Sequence, residues 1–202
     1  MPFTMSKYFP ALQHINAPNL ITSVGLAFGI AACYHMTQGR LQSALVYIFF
    51  AMVMDLIDGF VASKFNRQTT FGKYMDTLVD FFICCVMPVL MVFNFVQVNA
   101  LLIGALTFYC ICGLWRLAHY NVTAAENRNF FRGLPVPGAM SIVTLATWSV
   151  VNYDLQVWIC AVAFALAGVF MISNIKLRKY GFWQKALWVV GVAFIILVVA
   201  SS

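Results

Sequence analysis

The stretch Asp55-Leu56-Ile57-Asp58-Gly59-Phe60-Val61-Ala62-Ser63-Lys64, followed by Gly72-Lys73-Tyr74-Met75-Asp76-Thr77-Leu78-Val79-Asp80, sets four carboxylates among apolar residues. The whole chain of 202 residues has only six Asp and Glu, so most of its acid is gathered here. Asp55 and Asp58 are three positions apart and Asp76 and Asp80 four, so each pair shares a face of its own helix. A short connection makes the two helices antiparallel neighbours, and the four carboxylates then converge. An isolated charge in a bilayer costs about 2.5 kcal/mol or more on insertion scales. Like charges held close add repulsion, and ordinary packing gives no reason to keep them. A divalent cation does, because carboxylate oxygens suit Mg²⁺, Mn²⁺ or Ca²⁺. The bland alternative is a set of solvated charges at helix ends; the functional character of most intramembrane acids weighs against it.

Composition places this cluster in a membrane. The chain is 63% hydrophobic and 9% charged, whereas a soluble domain is about half apolar and about a quarter charged. The net charge of +6 needs no nucleic-acid partner, because membrane proteins gather Lys and Arg at cytoplasmic helix ends. The cysteines, Cys33, Cys84, Cys85, Cys110, Cys112 and Cys160, all lie in apolar stretches and form no CxxC pair. They read as small buried hydrophobes and not as disulfides or a zinc site. The N-terminus up to His14 is polar and aromatic and does not resemble a cleavable signal, so the first apolar span is expected to be retained.

A spanning helix needs about 20 apolar residues. Seven segments qualify: Asn19–Met36, Leu41–Ser63, Thr70–Phe95, Val98–Tyr120, Pro135–Asn152, Leu155–Ile175 and Phe182–Ala200. Met5–Gln13 reads as a short interfacial helix. With the N-terminus in the cytoplasm, Lys7, Lys64, Arg67, Lys73, Arg116, Arg128, Arg132, Lys176, Arg178, Lys179 and Lys185 fall inside, and Arg40 alone falls outside. That asymmetry fixes the expected orientation. The fold class is therefore an all-α polytopic membrane protein of about seven transmembrane helices, N-terminus cytoplasmic and C-terminus outside. The acids sit at the cytoplasmic end of the second helix and the start of the third.

Small and basic residues surround them. Gly59 lets another group approach the backbone, Ala62 is similarly small, and Gly72 opens the third helix. With Lys64, Arg67 and Lys73 nearby, the inventory suits a phosphorylated ligand and metal-assisted phosphoryl chemistry. The pattern resembles the signature of the CDP-alcohol phosphatidyltransferases, DxxDGxxAR, a spacer, then GxxxDxxxD. Four Asp, two Gly and one Ala match.

The resemblance implies a six-helix catalytic core, a homodimer, and attack of an alcohol on the β-phosphorus of a CDP-linked lipid with release of CMP. It implies that Asp55, Asp58 and Asp76 hold divalent metal (Mg²⁺ or Mn²⁺, with Ca²⁺ able to occupy the site). It gives Asp80 two roles, metal ligand and general base on the acceptor hydroxyl, a weak nucleophile until it loses its proton. Asn19, Thr22, Asp55, Gly59, Ala62, Lys64, Gly72 and Lys73 fall at nucleotide- or phosphate-binding positions. Asn19 reads equally as a helix cap.

Within the family the chain is most similar to the small phosphatidylserine synthases. Cys112-Gly113-Leu114-Trp115-Arg116-Leu117-Ala118-His119-Tyr120-Asn121 resembles their CGxxRLxxFN stretch. Phe131-Arg132-Gly133-Leu134-Pro135-Val136-Pro137 resembles their FxGLPxP loop, and Met171-Ile172-Ser173-Asn174-Ile175-Lys176 the end of their sixth helix. Pro18-Asn19-Leu20-Ile21-Thr22 resembles the start of their first helix. The implied reaction joins L-serine to the phosphatidyl group of CDP-diacylglycerol at a bacterial or archaeal inner membrane, with the site facing the cytoplasm. Arg116 reads as a ligand for the acceptor carboxylate or the lipid phosphate in preference to a snorkelling topology charge; His119 reads as interfacial. Arg132 and Lys176 read as phosphate ligands or as topology charges. Gly133, Pro135 and Pro137 either shape a re-entrant loop over the site or begin the fifth helix.

The implied layout is an interfacial segment at 1–18, the family domain at 19–180 and an additional helix at 181–202. Two departures stand out. Ser63 replaces the family's Arg, leaving Lys64 as a point charge without a bidentate fork. Ile83-Cys84-Cys85-Val86-Met87-Pro88 replaces a segment similar to SFGVAP, near the acceptor. Other acceptors (inositol, glycerol phosphate, choline) keep the same chemistry. A cation transporter is the different class; it calls for acids near the midplane on several helices. A scaffold protein would leave the acids unexplained.

Overall fold

The computed structural model describes residues 9–64, 69–123 and 130–178. A 3₁₀ turn at Pro10–His14 leads into α1 (Ala17–Thr37). Asn16 caps α1 by accepting the Asn19 N–H at 2.9 Å, and Pro18 sits in the first turn, where its missing N–H costs nothing. The cap is thus Asn16, and Asn19 lies one turn inside the helix. α1 ends where Gly39 adopts φ +69°, and α2 follows (Leu41–Lys64). Thr69 caps α3 (Thr70–Asp80) by accepting the Gly72 N–H at 3.0 Å. Gly72 therefore stands at the third position of that helix, and Thr70 opens it.

The expected third span is continuous but not uniform. After α3 the chain widens into a π turn, Phe81–Val86, before α4 (Met87–Phe95). The Met87 N–H reaches back five residues to the Phe82 carbonyl, the signature of π winding. Pro88 supplies the cause, because a proline cannot donate to the carbonyl four residues earlier and its ring crowds that carbonyl. α5 (Ala100–Thr123) starts two residues later than expected because Asn99 caps it, accepting the Leu102 N–H at 2.9 Å.

α6 (Val136–Asn152) carries Pro135 at its cap and Pro137 in its first turn. Of the two readings of these prolines, helix initiation is the one realised. α7 (Trp158–Ile172) is shorter than expected. Asp154 turns at φ +50° before it, and Ser173 goes extended after it. The chain then pairs β2 (Lys176–Arg178) antiparallel with β1 (Phe130–Arg132), setting Arg132 opposite Lys176. Gly133, at φ +74°, donates to the Ile175 carbonyl at 2.8 Å; a Cβ there would strike the Met171 carbonyl.

Among the described residues four stretches are long and apolar enough to cross a membrane: Ala17–Thr37, Leu41–Ala62, Thr70–Phe95 and Ala100–Thr123. Val136–Asn152 and Trp158–Ile172 are apolar but shorter. The expected helix Phe182–Ala200 and the first residues of the expected interfacial helix lie outside the described residues. α1 packs along α2, and α5 and α6 both pack on α7. The π turn and α4 run through the middle, where Cys85, Met87, Met91, Val92, Tyr109, Met140 and Phe164 are fully buried. Leu78, Trp115 and Val122 are among the apolar side chains left outward, as suits a lipid-facing surface.

Close helix contact rests on small residues, as in membrane bundles generally. A Cβ on Gly25 would meet Met54 Cβ at 3.3 Å and the Ala51 carbonyl at 3.5 Å, whereas one on Gly104 would meet no atom within 4 Å. We therefore expect Gly25→Val to part α1 from α2 and cost about 1–3 kcal/mol. Gly104→Ala is expected to be neutral or slightly stabilising. Thermal unfolding of both variants in detergent checks this; equal shifts would contradict the packing.

Candidate active site

α2 and α3 bring three of the four acids together. Asp55, Asp76 and Asp80 each offer a carboxylate oxygen, and these oxygens all lie within 4.8 Å of one another. All three residues are half-buried. The fourth, Asp58, is 4% exposed and accepts a hydrogen bond from the Thr22 hydroxyl of α1. Asp58 thus borders α1 as well as sharing α2 with Asp55.

The trio passes a simple test of fit for a divalent ion. Two oxygens on opposite sides of one ion stand about 4.2 Å apart for Mg²⁺ and about 5 Å for Ca²⁺, twice the metal–oxygen distance. Oxygens that all lie within 4.8 Å of one another can reach one such ion together, and an all-carboxylate donor set matches hard cations.

The N-terminal part of α1 closes one side. The Asn19 amide donates to the His14 carbonyl at 2.8 Å. Its Oδ1 lies so near Gly72 that a Cβ there would approach to 2.7 Å. The His14 ring stacks on Phe71 at 4.4 Å. Asn19 and Thr22, both buried, are thus engaged with the helices that carry the acids. Gly59 and Ala62 follow Asp58 on α2; Gly59 is exposed and faces open space.

The expected cations are dispersed. Lys64 is exposed, with its ammonium over the Phe60 ring at 5.7 Å. Lys73 donates to the Asn121 carbonyl at 2.6 Å, which leaves two of its three N–H groups. The side chain of Ser63 and all of Arg67 lie outside the described residues. Arg116 is 8% exposed, donates from Nε to the Leu134 carbonyl at 2.9 Å and lies over Tyr120. Arg132 and Lys176 are brought face to face by the β1–β2 register.

Two residues of α5 tie the acidic helix in place, and the motif reading gave neither a role at the site. Asn121 donates from Nδ2 to the Thr77 hydroxyl at 2.8 Å while its carbonyl receives Lys73. Tyr109, fully buried, donates its hydroxyl to the Cys84 carbonyl at 2.8 Å. The signal for the second was present in the sequence: Pro88 stands four residues after Cys84 and cannot supply that carbonyl's helical partner.

Residues 15–172 match the CDP-alcohol phosphatidyltransferase family. The chain is 31% identical to a CDP-diacylglycerol–serine O-phosphatidyltransferase of Methanocaldococcus jannaschii, over 88% of this chain and 78% of that one. It is 27% identical to the enzyme of the same name from Bacillus subtilis, over 81% and 90%. An archaetidylserine synthase of Methanothermobacter thermautotrophicus is 29% identical over 80% and 69%. Among solved structures, the fold is similar to that of Mycobacterium tuberculosis phosphatidylinositol phosphate synthase with CDP-DAG bound. The TM-score is 0.61 at 16% identity, covering 98% of this chain and 94% of that one. The carboxylate pattern on two adjoining helices, the long apolar spans and the match over most of its length say the same thing: this integral membrane protein belongs to the CDP-alcohol phosphatidyltransferase family.

Proposed function

We propose that this enzyme transfers the phosphatidyl group of CDP-diacylglycerol to L-serine, giving phosphatidylserine and CMP. The observation that carries the reading is the trio of carboxylate oxygens from Asp55, Asp76 and Asp80 within 4.8 Å. The names of the similar enzymes support serine as acceptor. In the reaction the serine hydroxyl gives its proton to Asp80, its oxygen forms a bond to the β-phosphorus, and the bond from that phosphorus to the bridging oxygen breaks, releasing CMP. Asp80 is the base because it matches the motif position that the family resemblance gives that role and has a place in the trio. Mg²⁺ or Mn²⁺ held by Asp55, Asp58, Asp76 and Asp80 would offset the charge of the pyrophosphate and of the departing CMP; Ca²⁺ fits the same ligands. Thr22 fixes Asp58, and Asn19, Gly59, Ala62, Lys64, Gly72 and Lys73 surround the nucleotide phosphates. Arg132 and Lys176, opposite each other on the ribbon, take a phosphate of the lipid or the acceptor.

Residues 19–180 form the catalytic domain, flanked by the segments 1–18 and 181–202. The distribution of Lys and Arg supports a cytoplasmic N-terminus and a site facing the cytoplasm of a bacterial or archaeal inner membrane. The working unit is a homodimer. A cation transporter would need acids along several helices at mid-membrane, whereas the trio is shared by α2 and α3 alone.

The decisive experiment supplies purified protein with CDP-diacylglycerol, Mn²⁺ or Mg²⁺, and serine, inositol, glycerol phosphate or choline, and measures CMP release. Release with serine, stopped by EDTA, is expected. Release with another alcohol only would change the acceptor; no release from folded protein would remove the enzyme reading. Asp80→Asn should lower turnover by about 10²–10⁴-fold, the usual worth of a general base, while the other carboxylates still bind Mn²⁺; near-normal turnover would refute the base. Thr22→Val should weaken Mn²⁺ binding severalfold and Thr22→Ser should restore it. Titration by electron paramagnetic resonance reads both, and equal affinities would free Asp58 from any dependence on Thr22.

A further inference from the structure

We infer that Tyr109 is a positioning residue for Asp80: its hydroxyl holds the Phe81–Val86 π turn open and so aims the acidic face of α3. The inference rests on the role proposed above for Asp80.

The chain of causes begins at Pro88. Without an N–H it leaves the Cys84 carbonyl short of its helical donor, inside a segment otherwise buried and apolar. Cys84 is 2% exposed and Cys85 fully buried, so no solvent takes up the deficit. The Tyr109 hydroxyl does, at 2.8 Å, and the Cys110 thiol approaches the next carbonyl at 3.5 Å. The tyrosine cannot swing away. Its ring meets Phe164 of α7 edge-on at 5.1 Å, and Phe164 is itself fully buried. One helical turn further along α5 the contact is just as tight, since Cys85 is pressed against Gly113, where even a Cβ would collide with the thiol.

The turn begins at the residue after Asp80. Downstream, Met87, Pro88, Met91 and Val92 anchor α4 in the core. Straightening the π turn would remove one residue's worth of winding, about 100° at 3.6 residues per turn. With α4 fixed, that rotation falls on α3 and carries Asp76 and Asp80 away from Asp55. Tyr109 touches no reacting atom in this scheme. It acts through the path of the backbone.

A purely structural hydrogen bond and a positioning one are separable because Pro88→Ala restores the α-helical donor. Tyr109→Phe leaves the carbonyl unpaired, and should lower both the unfolding temperature and kcat, the latter about tenfold, with KM for CDP-diacylglycerol within twofold. The double variant Tyr109→Phe/Pro88→Ala satisfies the carbonyl by straightening the turn. Its unfolding temperature should recover while kcat stays depressed. Recovery of kcat together with stability would overturn the inference, as would kcat within threefold of wild type for Tyr109→Phe. Should the single variant yield no folded protein, the double variant alone decides, and a wild-type kcat there overturns the inference. Mn²⁺ affinity provides a reading independent of turnover. Both variants should bind Mn²⁺ severalfold more weakly, and unchanged affinity would overturn the inference even if the wild-type protein released no CMP, a result that would separately remove the proposed reaction.

Discussion

Inside hydrocarbon no water takes up an unpaired polar group, and each one left without a partner costs several kcal/mol. Three hydrogen bonds in this protein follow from that constraint. Thr22 donates to Asp58, Arg116 to the Leu134 carbonyl and Tyr109 to the Cys84 carbonyl. Each joins separate elements: α1 to α2, α5 to the approach of α6, and the π turn to α5. A made hydrogen bond contributes only about 1 kcal/mol net, while an unmade buried one costs about 1–3 kcal/mol. These contacts therefore select one arrangement of the helices more than they stabilise it.

That selection matters because the carboxylates would otherwise drive their helices apart. Asp55, Asp76 and Asp80 are held close by elements fixed from outside the trio. α3 is tied at its start by Thr69 and by the approach of Asn19 to Gly72, along its length by Asn121, and at its end by the locked π turn. Gly72 carries no side chain because Asn19 Oδ1 occupies the space a Cβ would take. The contact between α1 and α3 thus itself calls for a glycine at this position of the motif.

The sequence made much of this legible for reasons that are physical. Acids in an apolar chain carry a large penalty, so Asp55, Asp58, Asp76 and Asp80 announced themselves, and hydropathy placed the first four spans within a few residues. Four things were hidden wholly or in part. The bond from Thr22 to Asp58 depends on how α1 packs against α2, which the spacing of the acids does not show. The shortening of α7 depends on the pairing of β2 with β1, a contact between segments more than forty residues apart in the chain. The π turn was half visible: Pro88 signals a freed carbonyl, but only the fold shows that Tyr109 receives it. Arg132 and Lys176 could not be linked from sequence, since their opposition is a matter of register.

The departure at Cys84-Cys85 takes on a different meaning in three dimensions. Read along the chain, it replaces a polar, glycine-containing segment next to the acceptor, as if the pocket wall had changed. In the fold Cys84 and Cys85 face inward and are buried, Cys85 against Gly113 and both beneath Tyr109 and its neighbours. Neither thiol presents itself to solvent, so neither is a wall that an acceptor would meet. The small residue that permits close approach here is Gly113, on the facing helix. What the two cysteines govern is the path of the backbone between Asp80 and α4.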